Sequence, residues 1–192
     1  TGSNNWFSLV SLGFRFLFSE PRLLWLGICG GVSNLMLGGF ITILSIFMIR
    51  SLSLEAWVFG TVLAIGALGG VAGALMAGRV RARLPLAQTL LLAEFIGGLG
   101  VIVIGLANIG GSAASTLTMA LLGMFVHSIG MGVYNVHSMS TRQRLAPPEY
   151  LGRVTASYRL LSHGAIPLGA ILGGLSMDLF GGVTTMDAIG TL

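Results

Sequence analysis

Long apolar runs separated by short polar connections make up most of the sequence. Five runs are long enough to cross a membrane, at residues 23–49, 56–78, 86–109, 116–136 and 154–177. A transmembrane helix needs about 20 mostly apolar residues to cross a hydrocarbon core of about 30 Å. Only two charged residues, Glu94 and Arg159, fall inside these runs. The pattern therefore predicts an all-α membrane protein with five transmembrane helices.

A shorter segment before the first run has polar and apolar positions on opposite faces of a helix. Its polar stripe consists of Ser8, Ser11, Arg15 and Ser19, and its apolar face of Trp6, Val10, Phe14, Leu17 and Phe18. Such an amphipathic pattern is typical of a helix that lies in the membrane interface. Pro21 is expected to end this helix, and Arg22 to mark the start of the first span.

The composition excludes a soluble domain. The chain has 192 residues, of which 54% are hydrophobic and 8% charged, whereas soluble domains have about 25% charged residues. The 30 glycines suit membrane helices, which approach closely through small residues. The single cysteine, Cys29, cannot form an intrachain disulfide and is expected to be a buried packing residue.

Basic residues lie on alternate connections between the runs. Eight of the ten arginines belong to one set, Arg15, Arg22, Arg79, Arg81, Arg83, Arg142, Arg144 and Arg153. The other set has only Arg50. The positive-inside rule places the basic set in the cytoplasm, as in a multi-pass protein of a cell membrane. We expect this membrane to be a bacterial inner or plasma membrane. This rule explains the net charge of +4 better than nucleic-acid binding does.

The sequence has no motif that indicates an enzyme. It lacks a phosphate-binding glycine loop with its lysine, the His-Glu-x-x-His spacing of a zinc site and the Gly-x-Ser-x-Gly elbow of hydrolases. Ser162 and His163 are adjacent but have no acid in register. We therefore expect no catalytic residue, no metal site and no cofactor.

Three segments carry a family resemblance. They are residues 148–154 with the sequence PEYLGRV, residues 157–159 with SYR and residues 167–174 with PLGAILGG. With the basic connections, they resemble the C-terminal half of a major facilitator superfamily transporter. The branch they resemble most includes macrolide-efflux and enterobactin-exporter-like proteins.

This resemblance implies five spans of a six-helix half-transporter bundle, equivalent to helices seven to eleven of twelve. Residues 1–22 would form a cytoplasmic interfacial segment, residues 23–181 the transmembrane half-domain, and residues 182–192 a tail or the start of a missing sixth span. The chain, which does not begin with methionine, would be a fragment. Its partners would be the lipid bilayer, a small-molecule substrate, protons, and a missing N-terminal half or a second copy.

Residues 73–83 resemble a degenerate form of the family's cytoplasmic loop motif. Gly78 replaces the motif's acid and Arg81 its second glycine. The arginines of this segment either act in the charge relay attributed to the motif or hold the loop at the lipid headgroups.

Polar residues inside the spans are the candidates for a substrate and proton pathway. Glu94 lies nine residues past Pro85, about 13 Å along a helix, where ionisation is costly. It is either a proton carrier or a paired structural residue. The family resemblance implies that the helix carrying Glu94 packs outside the central cavity.

The last two spans carry polar groups at helical spacing. His127, Tyr134 and Asn135 belong to the fourth span, and Arg159 and His163 to the fifth. We predict that the two sets share a water-filled cavity. Because histidine titrates near neutral pH, His163 is the candidate for proton exchange. Alternatively, Arg159 and His163 bond backbone carbonyls at a helix bend.

The remaining polar residues and glycines of the spans are assigned as follows. Asn34, with Ser33 and the neighbouring glycines, forms either a discontinuous substrate-binding segment or an interhelical hydrogen bond. His137, near the cytoplasmic end, is expected to be solvated. A further group is expected to pack helices or to close a gate, and consists of Gly70, Gly73, Pro167, Gly169, Gly173 and Gly174.

Two functions remain open at this stage. The first is a secondary transporter, half or fragment, that exports small amphipathic molecules by proton antiport. The second is a non-transporting membrane scaffold or assembly partner built on a transporter-like half.

Overall fold

A computed structural model describes residues 6–46, 48, 55–106 and 113–180. These residues form seven helices, α1 (Trp6–Ser19), α2 (Pro21–Ile46), α3 (Ala56–Arg83), α4 (Leu86–Gly105), α5 (Ala113–Leu145), α6 (Leu151–His163) and α7 (Ala165–Phe180). No strand occurs within these ranges, so the all-α class is confirmed. The connection at residues 49–54 and the tail at residues 182–192 lie outside the described residues.

Five stretches of the described chain are long and apolar enough to cross a membrane. They are Pro21–Ile46, Trp57–Arg83, Leu86–Gly105, Ala114–Leu145 and Leu151–Leu179. The fifth stretch combines α6 and α7. The predicted five-span arrangement is therefore present.

The arginines that are expected to be cytoplasmic lie in helices rather than in loops, which corrects the sequence-based assignment. Arg79, Arg81 and Arg83 belong to the last turns of α3, Arg142 and Arg144 to the last turn of α5, and Arg153 to the first turn of α6. Arginine is a good helix former, and basic side chains near a helix C-terminus interact favourably with the helix dipole. Helices α3 and α5 therefore extend beyond the ends of their apolar runs.

The fifth span is interrupted at Gly164, between α6 and α7. Pro167 is the third residue of α7, where its missing N–H removes no bond inside that helix. At the break itself, the Gly164 N–H donates to the Leu160 carbonyl oxygen at 3.2 Å. The helix break expected before Pro167 thus lies three residues ahead of it.

Two packed groups of helices make up the structure. Helix α5 packs between α3 and α4, while α2 packs against α6 and α7. Helix α1 lies across α6, and its Leu17 is fully buried against Leu23 and Val154. Side chains of the expected polar stripe, Ser11, Arg15 and Ser19, are exposed. The placement of α1 in the membrane interface remains a prediction.

Glycines set the closest helix approaches. A Cβ atom at Gly169 would collide with the Leu35 carbonyl oxygen, and one at Gly173 would lie 2.7 Å from the Gly39 Cα. Between α3 and α5, a Cβ at Gly73 would collide with the Ile129 carbonyl oxygen. Small residues of this kind let membrane helices approach backbone to backbone.

Two glycines of the expected packing set make looser contacts. A Cβ at Gly70 would be 3.8 Å from the Ser128 carbonyl oxygen, which is ordinary contact, and one at Gly174 would meet nothing within 4 Å. Helix packing therefore does not require glycine at Gly174.

Candidate functional site

Helix α6 presents a polar face away from its packed face. Tyr158 and Ser162 are buried, whereas Arg159 and His163 are exposed. Among the described residues, the one hydrogen-bond contact of His163 is with Ser162, whose Oγ lies 3.0 Å from His163 Nδ1. The alternative that Arg159 and His163 bond backbone carbonyls at the helix break is therefore not realised within the described chain.

The exposure of Arg159 restricts what can lie beside α6. A charged side chain facing lipid within a span costs several kcal/mol, about 2.5–3.5 kcal/mol on insertion scales. Arg159 is the ninth residue of a candidate span of 29 residues. We infer that this face borders water or another protein segment rather than hydrocarbon.

Glu94 lies in a cleft of about 520 Å³ between α2, α4 and α5. Ser33 Oγ donates a hydrogen bond of 2.7 Å to Glu94 Oε1. The lining is mostly apolar, and comprises Val32, Ser33, Met36, Leu37, Phe40, Glu94, Phe95, Gly97, Gly98, Leu99, Val101, Ile102, His127 and Met131. The carboxyl group is thus held by one donor inside a pocket that offers few other polar partners.

His127 lines the same cleft and is bonded to the backbone of a neighbouring helix. It is buried, its Nδ1 lies 3.0 Å from the Gly97 carbonyl oxygen, and its ring centroid lies 5.3 Å from that of Phe40. The close approach of α4 and α5 comes from Gly100, where a Cβ would collide with the His127 backbone nitrogen, whereas a Cβ at Gly97 would make only ordinary contact with His127. The His127 side chain therefore links two helices that already lie close together.

The predicted shared cavity of His127, Tyr134, Asn135, Arg159 and His163 is not formed by the described chain. His127 lines the cleft beside Glu94, Tyr134 is buried, and the other three residues are exposed. Helical spacing correctly places residues on a common face of one helix, but α6 packs mainly against α1 and α2 rather than α5. The two sets of side chains consequently do not face each other.

Tyr134 is buried where α4, α5 and α6 approach one another. Its side chain packs with Ala93 and Val133, and Tyr158 and Glu94 lie near it.

The sequence did not reveal a polar cluster where α2, α5 and α6 meet. The Tyr158 hydroxyl lies 3.0 Å from Ser138 Oγ, and the Arg142 guanidinium carbon lies 3.8 Å from the Tyr158 ring centroid. This is close cation–π geometry. Gly30 makes room for the hydroxyl, since a Cβ there would be 2.6 Å from it. The i, i+4 spacing of Ser138 and Arg142 was the available signal.

Three other expectations require correction. The interpretation of Asn34 as part of a discontinuous segment is wrong, because α2 is continuous and Asn34 Nδ2 donates to the Gly30 carbonyl oxygen at 2.8 Å. The interhelical bond in this region is made by Ser33. His137 is buried, with Nε2 3.0 Å from the Ala77 carbonyl oxygen. Cys29 is exposed rather than buried.

Comparison with known proteins gives the family. The profile of the Major Facilitator Superfamily matches residues 2–174. Over 84 residues the chain is 33% identical to the "Uncharacterized MFS-type transporter YhjO" of Bacillus subtilis (strain 168), which covers 44% of this chain and 21% of the relative. No solved structure matches the chain. The helical membrane architecture fits the profile match, and the chain belongs to the Major Facilitator Superfamily.

Proposed function

We propose that the protein containing this chain exports small amphipathic molecules in exchange for protons. In this proposal the chain is a C-terminal half of the drug- and siderophore-exporting branch, and it works with a missing N-terminal half or with a second copy. The observation that carries the proposal is the exposed pair Arg159 and His163 within a membrane span.

The chemistry of this face favours an amphipathic substrate. Arg159 supplies a fixed positive charge, while the neighbouring Leu160 is 61% exposed. A molecule that contacts both groups needs an apolar body and a hydrogen-bond acceptor or negative group. Transporters of this general type place such a site near the midplane, between two halves that rock against each other.

Two titratable groups are candidates for carrying the proton. His163 lies on the exposed face, and histidine changes charge near physiological pH. Glu94 lies in the cleft on the Ser33 hydroxyl, and an acid inside a membrane span is a functional candidate by default. We assign the proton to His163 first, because this residue shares the face of Arg159. The outward direction rests on the resemblance of residues 148–174 to exporters.

The test measures efflux by the full-length protein in cells loaded with fluorescein, novobiocin or chloramphenicol, which are amphipathic molecules that carry an acidic group or hydrogen-bond acceptors. Arg159→Ala is expected to reduce efflux to the level of vector-only cells. His163→Gln is expected to leave substrate binding intact and to remove the dependence of efflux on the proton gradient, measured as a pH profile with and without a protonophore. Leu175→Ala is the control, because Leu175 is an exposed residue of α7 outside this face, and this variant should keep the efflux rate and the pH profile of the wild type.

The outcomes separate the alternatives. If His163→Gln shows an unchanged pH profile, the proton assignment to His163 is wrong and Glu94→Gln becomes the next variant. If cells with the wild-type protein retain all three probes as vector-only cells do, the proposed substrate class is wrong. This is the result expected of a non-transporting scaffold.

A further inference from the structure

A second cavity lies at the basic end of the helix bundle. It has a volume of about 390 Å³ and is lined by Arg22, Gly78, Arg81, Leu86, Val136, His137, Ser140, Thr141, Arg144 and Leu145. These residues come from the start of α2, the end of α3, the start of α4 and the end of α5. Four helix ends that are distant in sequence thus form one pocket.

Positive charge converges on this pocket without an acid to neutralise it. Arg22, Arg81 and Arg144 come from three different helices, and no carboxylate lies among the described residues that line the cavity. Glu20 precedes Arg22 closely in sequence but is not part of the lining. Arg81 Nη1 donates to the Leu84 carbonyl oxygen at 3.0 Å, which holds one of its nitrogens and leaves the others available.

The remaining lining suits a headgroup attached to an apolar chain. Ser140 and Thr141 contribute hydroxyl groups, and the Thr141 hydroxyl donates to the His137 carbonyl oxygen at 2.7 Å. Leu86, Val136 and Leu145 supply an apolar wall. The pocket lies where apolar spans give way to basic helix ends, which is the depth of lipid phosphates.

We propose that this pocket binds the phosphate of an anionic phospholipid headgroup. Guanidinium groups bind phosphate through paired N–H donors, and basic pockets between transmembrane helices on the cytoplasmic side bind anionic headgroups. A bound headgroup would cross-link α2, α3 and α5. This differs from a general attraction of arginines to the membrane surface, because only the arginines that line the pocket contribute.

The test uses native mass spectrometry of the full-length protein, delipidated in an uncharged detergent. Dioctanoyl phosphatidylglycerol is titrated against dioctanoyl phosphatidylcholine. Arg81→Gln and Arg144→Gln are each expected to weaken phosphatidylglycerol binding by about five-fold, the effect of removing roughly one lipid-facing charge. Arg83→Gln is the matched control, since Arg83 is exposed on the same helix end but does not line the pocket.

A second variant keeps the test independent of charge. Ser140→Phe fills the pocket while leaving every arginine in place, and it should also weaken phosphatidylglycerol binding. Each variant is first checked for a monodisperse size-exclusion profile and an unchanged melting temperature.

Three results would overturn the proposal. Equal binding of phosphatidylcholine and phosphatidylglycerol would show that the pocket does not distinguish an anionic headgroup from a zwitterionic one. Equal weakening by Arg83→Gln would show a diffuse electrostatic surface instead of a site. Displacement of the lipid by millimolar inorganic phosphate would show that the pocket takes free phosphate, not a lipid headgroup.

Discussion

Polar side chains inside the spans fall into two groups, those bonded within the packed bundle and those exposed on its surface. His127, His137 and Asn34 are satisfied by backbone carbonyls of this chain, because a buried polar group without a partner is costly in hydrocarbon. Arg159 and His163 project from the packed bundle instead. Side chains of the second kind are the better functional candidates, since helix packing does not account for them.

The Ser33–Glu94 hydrogen bond is the basis of a stability prediction. Ser33→Ala leaves the carboxyl group without its donor and should lower the free energy of unfolding by about 0.5–2 kcal/mol. In a Glu94→Leu background the same substitution should cost almost nothing, because no carboxyl group remains to be satisfied. The double-mutant cycle is measured by thermal unfolding of the full-length protein in detergent.

Ser45→Ala is the control for this cycle. Ser45 Oγ donates to the Thr42 carbonyl oxygen of its own helix. The change in the free energy of unfolding on Ser45→Ala should therefore be the same with and without Glu94. If Ser33→Ala costs the same in both backgrounds, the bond does not contribute to stability.

At the scale of the elements, backbone contacts at glycine determine which helices pair. Helices α2 and α7 meet at Gly38, Gly169 and Gly173, and α3 and α5 at Gly69 and Gly73. Van der Waals packing drives association in a bilayer, where apolar side chains gain little from leaving lipid. A single methyl group at such a contact therefore separates two helices along their length.

Gly169→Ala is expected to destabilise the α2–α7 pair. The new methyl would collide with the Leu35 carbonyl oxygen, and overpacking of this kind typically costs about 1–3 kcal/mol. The expected result is a lower melting temperature of the full-length protein.

Gly174→Ala is the matched control on the same helix. Its Cβ would meet nothing within 4 Å, so its melting temperature should equal that of the wild type or exceed it slightly, because alanine is the better helix former. Equal losses at the two positions would contradict the role of the α2–α7 contact.

At the scale of the whole molecule, charge separates the two ends of the bundle. Basic residues end α3 and α5 and begin α6, whereas the start of α3 carries the acidic Glu55. This asymmetry predicts that the arginine-rich end is cytoplasmic. The opposite end would then face outward.

Single cysteines test this orientation in intact cells. In a Cys29→Ala background, Glu55→Cys should react with a membrane-impermeant thiol reagent and Gln143→Cys should not; both positions are exposed. Gln143→Cys should react once the cells are permeabilised, which serves as the control. Labelling of Gln143→Cys in intact cells would invert the orientation.

The sequence alone determined the helical class, the number of spans and the expected orientation. These properties are local, since a span in lipid must satisfy its own backbone and be apolar over its full length. The helix break near Pro167 was foreseeable for the same reason. The helix ends were not, because α3 and α5 continue through arginines that the apolar pattern treats as connections.

Only the tertiary structure decided which partner each polar side chain takes. Ser33 and Glu94 are 61 positions apart, and His127 and Gly97 are 30 apart. Helical periodicity shows which residues share a face, but it specifies neither the rotation of a helix about its axis nor the identity of its neighbours. Those are fixed by the glycine contacts between helices, which place His127 beside Glu94 and leave Arg159 and His163 on an outer face.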